Sequence, residues 1–258
     1  MRSPRRLRAL AALLLVGLAL AGCRDGAVDL ALSPEVGETL RYRYEIDATI
    51  VQSVDGQDPE TSELDLVLDV RHRVRAVEDD VVVVDVQVRR PNGPTTSGEA
   101  RLDRYGGLAG VDLEGTGAGG VDVAVLEQLL SVATLPRDPV APGGRWAIDG
   151  PAVTGEGRLR RLFTVEGRPV ADVEIDLRHH VEDELEVSGS RAYLSGEVTA
   201  EGRTTYRTAD GTVERSEATA QGSVELTIAP PQGVTATPAS GTVRYSVRVV
   251  VTRPADAG

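Results

Sequence analysis

Apolar and polar residues alternate along most of the chain, a pattern typical of β-strands that bury one face. The clearest run spans residues 40–50, where every second residue from Leu40 to Ile50 is apolar. Alternating or valine-rich runs predict eleven further strands: 64–76, 81–88, 99–103, 108–113, 145–148, 158–166, 170–179, 181–187, 192–208, 212–228 and 242–252. Asp-Gly pairs at 55–56 and 210–211 indicate hairpin turns. Because the connections between the strands from 40 to 113 are too short for crossover helices, we expect an antiparallel meander there.

Residues 121–134 depart from this alternation. Their apolar residues recur at spacings of three and four, which predicts one amphipathic helix: Val121, Val125, Leu126, Leu129, Leu130 and Ala133. Pro136 ends the helix and begins a turn-rich connector. Long antiparallel strands with one apolar face must cover that face. The expected fold is therefore mainly β: an antiparallel meander forming a curved sheet, a half-barrel or a barrel, with this one amphipathic helix.

The amino terminus has the pattern of a signal peptide. Four arginines within residues 2–8 precede an uncharged stretch of apolar residues and glycine at 9–21. At about 1.5 Å per residue in a helix, thirteen residues are too few to cross a hydrocarbon core about 30 Å thick. The stretch ends in the tetrapeptide 20–23, whose last residue is the only cysteine of the chain.

The residues Leu20, Ala21, Gly22 and Cys23 resemble the lipobox of bacterial lipoprotein signal peptides. That resemblance implies transfer of a diacylglyceryl group to the Cys23 sulfur, cleavage between Gly22 and Cys23, and acylation of the new amino terminus. An ordinary secretory signal, or a membrane-anchored helix with an incidental cysteine, is the alternative. Arg24 follows the cysteine, where the family's inner-membrane retention signal has Asp. The resemblance therefore implies a lipid-anchored protein of the cell envelope, on the outer membrane and facing the periplasm if the host is Gram-negative.

Composition and charge narrow the range of partners. The chain contains 28 Arg, no Lys and 40 Asp or Glu, for a net charge of −12. Loss of residues 1–22 would remove four Arg and no acid, which leaves −16. A chain this acidic lacks the basic footprint of a nucleic-acid binder and is repelled by anionic lipid headgroups. We therefore expect no nucleic-acid partner, and we expect acyl chains on Cys23 to hold the protein on its membrane.

Candidate chemistry in the body of the chain is sparse. The run 115–120 matches Gly-x-Gly-x-x-Gly, but no parallel βαβ unit follows and acids flank it, so we interpret it as a linker. His72 shares its strand parity with apolar residues, whereas His179 and His180 are expected at a strand end and on opposite faces. The acids at 182–184 are expected in a turn and strand start. Separated histidines, a single cysteine and no Gly-x-Ser-x-Gly motif lead us to expect no metal, no cofactor and no catalytic activity.

Two further stretches are similar to uncharacterised β-rich bacterial lipoprotein domains. They are 103–106, which holds a glycine turn, and 135–146, which contains Pro-Val-x-x-Gly-x-x-Trp and ends at Trp146. The layout also resembles the half-barrels of the LolA and LolB lipoprotein carriers, which hold acyl chains. These resemblances bear on the fold, and the lipobox together with a sheet that has one apolar face leads us to expect a non-catalytic lipoprotein that binds a hydrophobic ligand or an envelope partner. A structural or assembly lipoprotein with a filled core is the alternative, and an exported hydrolase would need a convergent triad.

The chain therefore divides into a signal peptide, a lipidated tether with a turn, one β-rich domain and a tail: 1–22, 23–37, 38–252 and 253–258. A weak similarity between 36–42 and 142–148 leaves open that two related halves, about 38–113 and 145–252, flank the predicted helix. Turn chemistry alone would produce the same similarity.

Overall fold

The computed structural model describes residues 26–91, 93–114, 134–150, 152–187, 190–230 and 238–254. Within these residues the chain forms one open, curved sheet of eleven antiparallel strands and no helix. The strands are β1 Thr39–Val54, β2 Glu60–Glu78, β3 Val81–Arg89, β4 Thr95–Asp103, β5 Leu108–Glu114, β6 Arg145–Asp149, β7 Val153–Val165, β8 Arg168–Val187, β9 Ser190–Arg207, β10 Val213–Ile228 and β11 Ala239–Thr252. The expected antiparallel, mainly β fold is confirmed.

The strand order brings the first and last strands together in the middle of the sheet. The order is β5-β4-β3-β2-β1-β11-β10-β9-β8-β7-β6, so each strand pairs with the next within β1–β5 and within β6–β11. The short strands β5 and β6 form the two edges. The predicted linker 115–120 and all but the last residue of the predicted helix 121–134 lie between them in the sequence, outside the described residues. The signal peptide and Cys23 also lie outside them.

Two predictions about the residues of β8 were wrong. The predicted strands 170–179 and 181–187 are one strand, Arg168–Val187, because the ladder with β9 continues without a break across their junction. The acids at 182–184 therefore lie within a strand and not in a turn, and the histidine pair lies inside β8 rather than at a strand end. Backbone pairing to a long neighbouring strand outweighs the weak strand propensity of consecutive acids.

Cross-strand pairing gives the sheet one apolar face and one charged face. In β1, Ile46 pairs with Leu66 of β2 on one side and with Val249 of β11 on the other. The next residue, Asp47, pairs with Arg248 of β11. Successive side chains of a strand point to opposite faces, so the ladders separate apolar from charged residues. We call the surface that carries Ile46 the apolar face and the surface that carries Asp47 the charged face.

The apolar face is packed at one end of the strands by two clusters of buried side chains. The first cluster comes from β1–β4: Leu40, Tyr42, Val70, Val74, Val82, Val84, Val86 and Ala100. The second comes from β7–β9 and two connecting segments: Leu30, Leu135, Val140, Leu159, Ala171, Val173 and Tyr206. Between the clusters, successive cross-strand partners form a row that runs across five neighbouring strands and joins the two clusters. The residues of this row are Tyr44, Val251, Ser216, Thr204 and Val173. We call this region the packed end.

The segment that leads into β1 crosses the packed end. Leu32 donates its N–H to the Arg104 carbonyl at 2.7 Å, and Ser33 donates its N–H to the Asp210 carbonyl at 2.8 Å. Leu30, two residues earlier, is fully buried in the second cluster. Arg104 follows β4 and Asp210 precedes β10. This segment therefore links a connection of the β1–β5 half of the sheet to a connection of the β6–β11 half.

Gly157 of β7 makes room for the only tryptophan of the chain. The Trp146 ring occupies the position that a Cβ on Gly157 would take, and its Nε1–H donates to the Thr134 carbonyl at 2.9 Å.

We expect Gly157→Ala to displace the Trp146 ring, to lower the free energy of unfolding by about 1–3 kcal/mol and to shift the Trp146 fluorescence to the red. Gly110→Ala, at a strand position with open space around it, is the control. An emission spectrum that stays the same in Gly157→Ala would contradict this packing.

Candidate functional site

The candidate site is the part of the apolar face that lies beyond the packed end. Three neighbouring cross-strand rows form it, and we call them the uncharged rows. The first row is Leu66, Ile46, Val249, Ala218, Gly202, Ile175, Gly157 and Trp146. The second row is Leu64, Ala48, Val247, Ala220, Ala200, Leu177, Gly155 and Ile148. The third row is Ser62, Ile50, Tyr245, Gly222, Val198, His179 and Val153.

The uncharged rows form a continuous surface without an acidic residue or an arginine. At about 4.8 Å between neighbouring strands, a row across eight strands is about 34 Å long. At the two ends of the second row, Ile148 is buried and Leu64 is 40% exposed. Val54, farther along β1 on the same face, is 38% exposed. Apolar side chains that stay accessible on one continuous surface are typical of a binding site for a ligand or a partner.

Small residues occupy the centre of the uncharged rows, in β9 and β10, and two of the positions in β7. Strands β7 and β8 approach so closely at Gly155 that a Cβ there would overlap the Asp176 carbonyl. At Gly222 a Cβ would lie 3.2 Å from the ring of Tyr245, which therefore packs over the glycine. Glycine tolerates such close approach of strands and rings, and it is common where a sheet bends. The small side chains therefore suit a sheet that curves at these positions.

His179 places a polar ring within the third row. It is 9% exposed and lies between Val153 of β7 and Val198 of β9, which are both 4% exposed. Neither of its ring nitrogens has a hydrogen-bond partner among the described residues. Burial, and to a lesser extent the neighbouring His180, lower the pKa of His179, so its ring is neutral at neutral pH. A neutral imidazole carries one donor and one acceptor, and both are unused here.

The other two histidines lie apart from His179. His72 is on the apolar face at the packed end, edge-on to Tyr42 with ring centroids 5.5 Å apart, and burial lowers its pKa to about 4. His180 is exposed on the charged face, 3.2 Å from the Glu182 carboxylate. The prediction that the histidine pair faces opposite sides is confirmed. In the described ranges, no three His, Cys, Asp or Glu residues converge to hold a metal ion.

The charged face has its most buried carboxylate at Asp172. This side chain is 2% exposed and accepts hydrogen bonds from Arg203 at 2.8 and 2.5 Å and from Arg161 at 3.1 Å. The hydrogen bond from Arg203 is the main reason that the pKa of Asp172 lies below its usual range. The Arg161 guanidinium also stacks over the Phe163 ring, 4.8 Å from its centroid. The buried carboxylate is thus satisfied within the sheet and offers no free group to a ligand.

The described histidines show no arrangement typical of nucleophilic catalysis. Such catalysis needs a serine, threonine or cysteine within hydrogen-bond reach of a base. Among the described residues, the side-chain partner of His180 is Glu182, and the ring of His179 has none. The sequence alone did not identify the ligand-binding residues. His179 lies two residues from both Leu177 and Val181, and alternate residues of a strand point to the same face. This spacing is the feature of the sequence that indicates that His179 points toward the apolar face.

Comparisons with known proteins do not identify this chain. No helix in the described ranges is both long and apolar enough to cross a membrane. A search against protein families finds no family whose model matches the chain. A search among curated proteins also finds no match. Its function is therefore inferred from the motif at residues 20–23 and from the geometry of the uncharged rows.

Proposed function

We propose that this protein is a non-catalytic lipoprotein of the bacterial cell envelope that holds a hydrophobic ligand against the uncharged rows. The observation that carries the proposal is an apolar surface eight strands wide that is buried at Ile148 of β6 and 40% exposed at Leu64 of β2. A surface that served only as a protein core would bury its large apolar side chains across its full width. Leu64 departs from that expectation at 40% exposed, and Val54, which lies beyond the uncharged rows on the same face, is 38% exposed.

Cys23 would supply the membrane anchor, through acyl chains on its sulfur and on the new amino terminus. Three peptide units separate Cys23 from Gly26, which limits the distance between their Cα atoms to about 11 Å. Two residues later, Val28 pairs with Val140 of the second cluster. An anchor at Cys23 would therefore hold the packed end next to the membrane. The exposed parts of β1 and β2 would then point away from it, into the periplasm if the host is Gram-negative.

The negative charge of the protein restricts which lipid headgroups the ligand can have. The mature chain would carry a charge of −16, which repels lipids with anionic headgroups. The uncharged rows offer apolar contact but no arginine that could pair with a phosphate or carboxylate. The acyl chains of an uncharged or zwitterionic lipid fit these conditions best.

A photolabelling experiment tests the proposal on the complete, lipidated protein. The protein is reconstituted in phosphatidylcholine vesicles that include a phosphatidylcholine with a diazirine on one acyl chain, and mass spectrometry locates the label after irradiation. We expect label on apolar-face residues of β1, β2 and β11. Leu64→Glu adds a charge to that face and should reduce this labelling at least about tenfold. Thr61→Glu adds the same charge on the charged face of β2 and should leave the labelling unchanged.

Two outcomes would overturn the proposed ligand. One is label confined to Cys23 and to the loops of the packed end, which would favour the alternative of a structural or assembly lipoprotein with a filled core. The other is label on the apolar face that is equally strong in Leu64→Glu and in the wild type, because nonspecific contact with lipid would give that result.

A further inference from the structure

We propose that His179 is the polar contact for the ligand, and that the ligand is a long-chain lipid with an uncharged hydroxyl group. This inference rests on the proposed function, because it names the class of lipid that the uncharged rows would hold. His179 lies in the third row between two buried valines, Val153 and Val198. Along its own strand, Leu177 and Val181 flank it on the same face. A ligand that reached this buried imidazole would meet apolar side chains around it.

Buried polar atoms elsewhere on the apolar face have partners within the protein. In the packed end, the hydroxyl groups of Thr204 and Ser216 pair at 2.7 Å. In the first row, the Trp146 Nε1–H donates to the Thr134 carbonyl. Among the described residues, the buried side-chain atoms without a partner are both ring nitrogens of His179 and one carboxylate oxygen of Glu214, whose other oxygen accepts from Arg168 at 3.3 Å. Since proteins satisfy most of their buried polar atoms, an unpartnered buried imidazole on a candidate binding surface points to a partner supplied by the ligand.

The chemistry of a neutral imidazole selects the group it would bind. One ring nitrogen donates and the other accepts, and a hydroxyl group can also do both. A hydroxyl group can therefore pair with whichever ring nitrogen faces it, whereas a carbonyl group can only accept and would need the protonated nitrogen. An ionised carboxylate or ammonium group would lose its hydration without gaining an opposite charge, because the uncharged rows contain neither acid nor arginine. An alcohol is therefore favoured over an ionised headgroup.

The test compares two probes in the same vesicles and with the same complete protein. One probe is a long-chain alcohol with a diazirine in its chain, and the other is the diazirine-bearing alkane of equal length. In the wild type, we expect the alcohol to label β7, β8 and β9 around His179 about tenfold more than the alkane does. His179→Leu should bring the two probes to equal labelling while it preserves labelling by the alkane. His180→Leu changes the adjacent residue on the charged face and should keep the wild-type ratio.

The possible outcomes separate this inference from the proposed function. A histidine that matters only for packing would change the melting temperature in His179→Leu without changing the ratio of alcohol to alkane labelling. That result would overturn the inference, as would equal labelling by both probes in the wild type. If neither these probes nor the labelled phosphatidylcholine reach the uncharged rows, the proposed function itself is wrong.

Discussion

Replacing Arg161 and Arg203 together by alanine is expected to lower the free energy of unfolding by about 3 kcal/mol. Both guanidinium groups contact the Asp172 carboxylate, which is 2% exposed. Their loss leaves a buried negative charge without a counter-charge, which usually costs about 3–5 kcal/mol. We expect the lower value because both arginines are more than half exposed, so water can partly replace them. Urea unfolding measures the loss directly, and Tm should fall by about 6–12 °C.

Two further variants separate this effect from a general loss of arginine. Arg215 lies near the same carboxylate on the charged face, but its partner Glu217 is 45% exposed and 3.9 Å away. We therefore expect Arg215→Ala to change the free energy of unfolding by at most about 1 kcal/mol. Adding Asp172→Leu to the double variant removes the unpaired carboxylate and should recover most of the lost stability. A double variant as stable as the wild type would show that water solvates the Asp172 carboxylate in the folded protein.

Local alternation predicted the strands wherever one face stays apolar over several residues. The run at 40–50 makes up most of β1, and the valine-rich run at 81–88 is nearly all of β3. The prediction was wrong where polar residues interrupt the pattern, as in β8 between residues 179 and 184. Pairing with β9 on one side holds that part of the backbone extended, and such pairing depends on residues far away in the sequence.

The pairing of β1 with β11 could not be predicted from local patterns. Ile46 and Val249 are cross-strand partners although some two hundred residues separate them along the chain. Alternation gives each strand an apolar side, but it does not say which strands become neighbours. This pairing joins the meander β1–β5 to the meander β6–β11 and so creates the full width of the uncharged rows. The candidate site therefore follows from a long-range contact that the sequence does not display.

The role proposed for His179 also depends on information beyond the sequence. Parity along β8 indicates that His179 points to the apolar face, together with Leu177. Whether a buried imidazole finds a hydrogen-bond partner depends on the side chains that neighbouring strands bring to it. Here those strands bring Val153 and Val198, which can neither donate nor accept a hydrogen bond through their side chains.

Cys23→Ser is expected to abolish lipidation of the protein completely. Cys23 is the only cysteine, so no second thiol can accept the diacylglyceryl group. If cleavage requires the lipidated cysteine, as in the family whose lipobox this sequence resembles, the variant should also keep residues 1–22. Cells grown with a labelled fatty acid should incorporate label into the wild type and none into Cys23→Ser. Intact-mass measurement should find acyl groups on a wild-type chain that begins at Cys23, and a longer chain without them in the variant.

Arg24→Asp is the matched control, because it changes the residue next to the anchor and leaves the thiol in place. It should keep the acyl mass and the cleaved amino terminus, and in a Gram-negative host it should move the protein from the outer to the inner membrane. A wild-type product that begins at Met1, or that begins after residue 23 without added acyl mass, would contradict the anchor. The packed end would then have no lipid bilayer beside it, and a membrane-derived ligand would lose its source. A stable anchor needs at least two acyl chains, each contributing about 0.8 kcal/mol per buried CH₂, so the acyl count on Cys23 decides whether the packed end stays on the membrane.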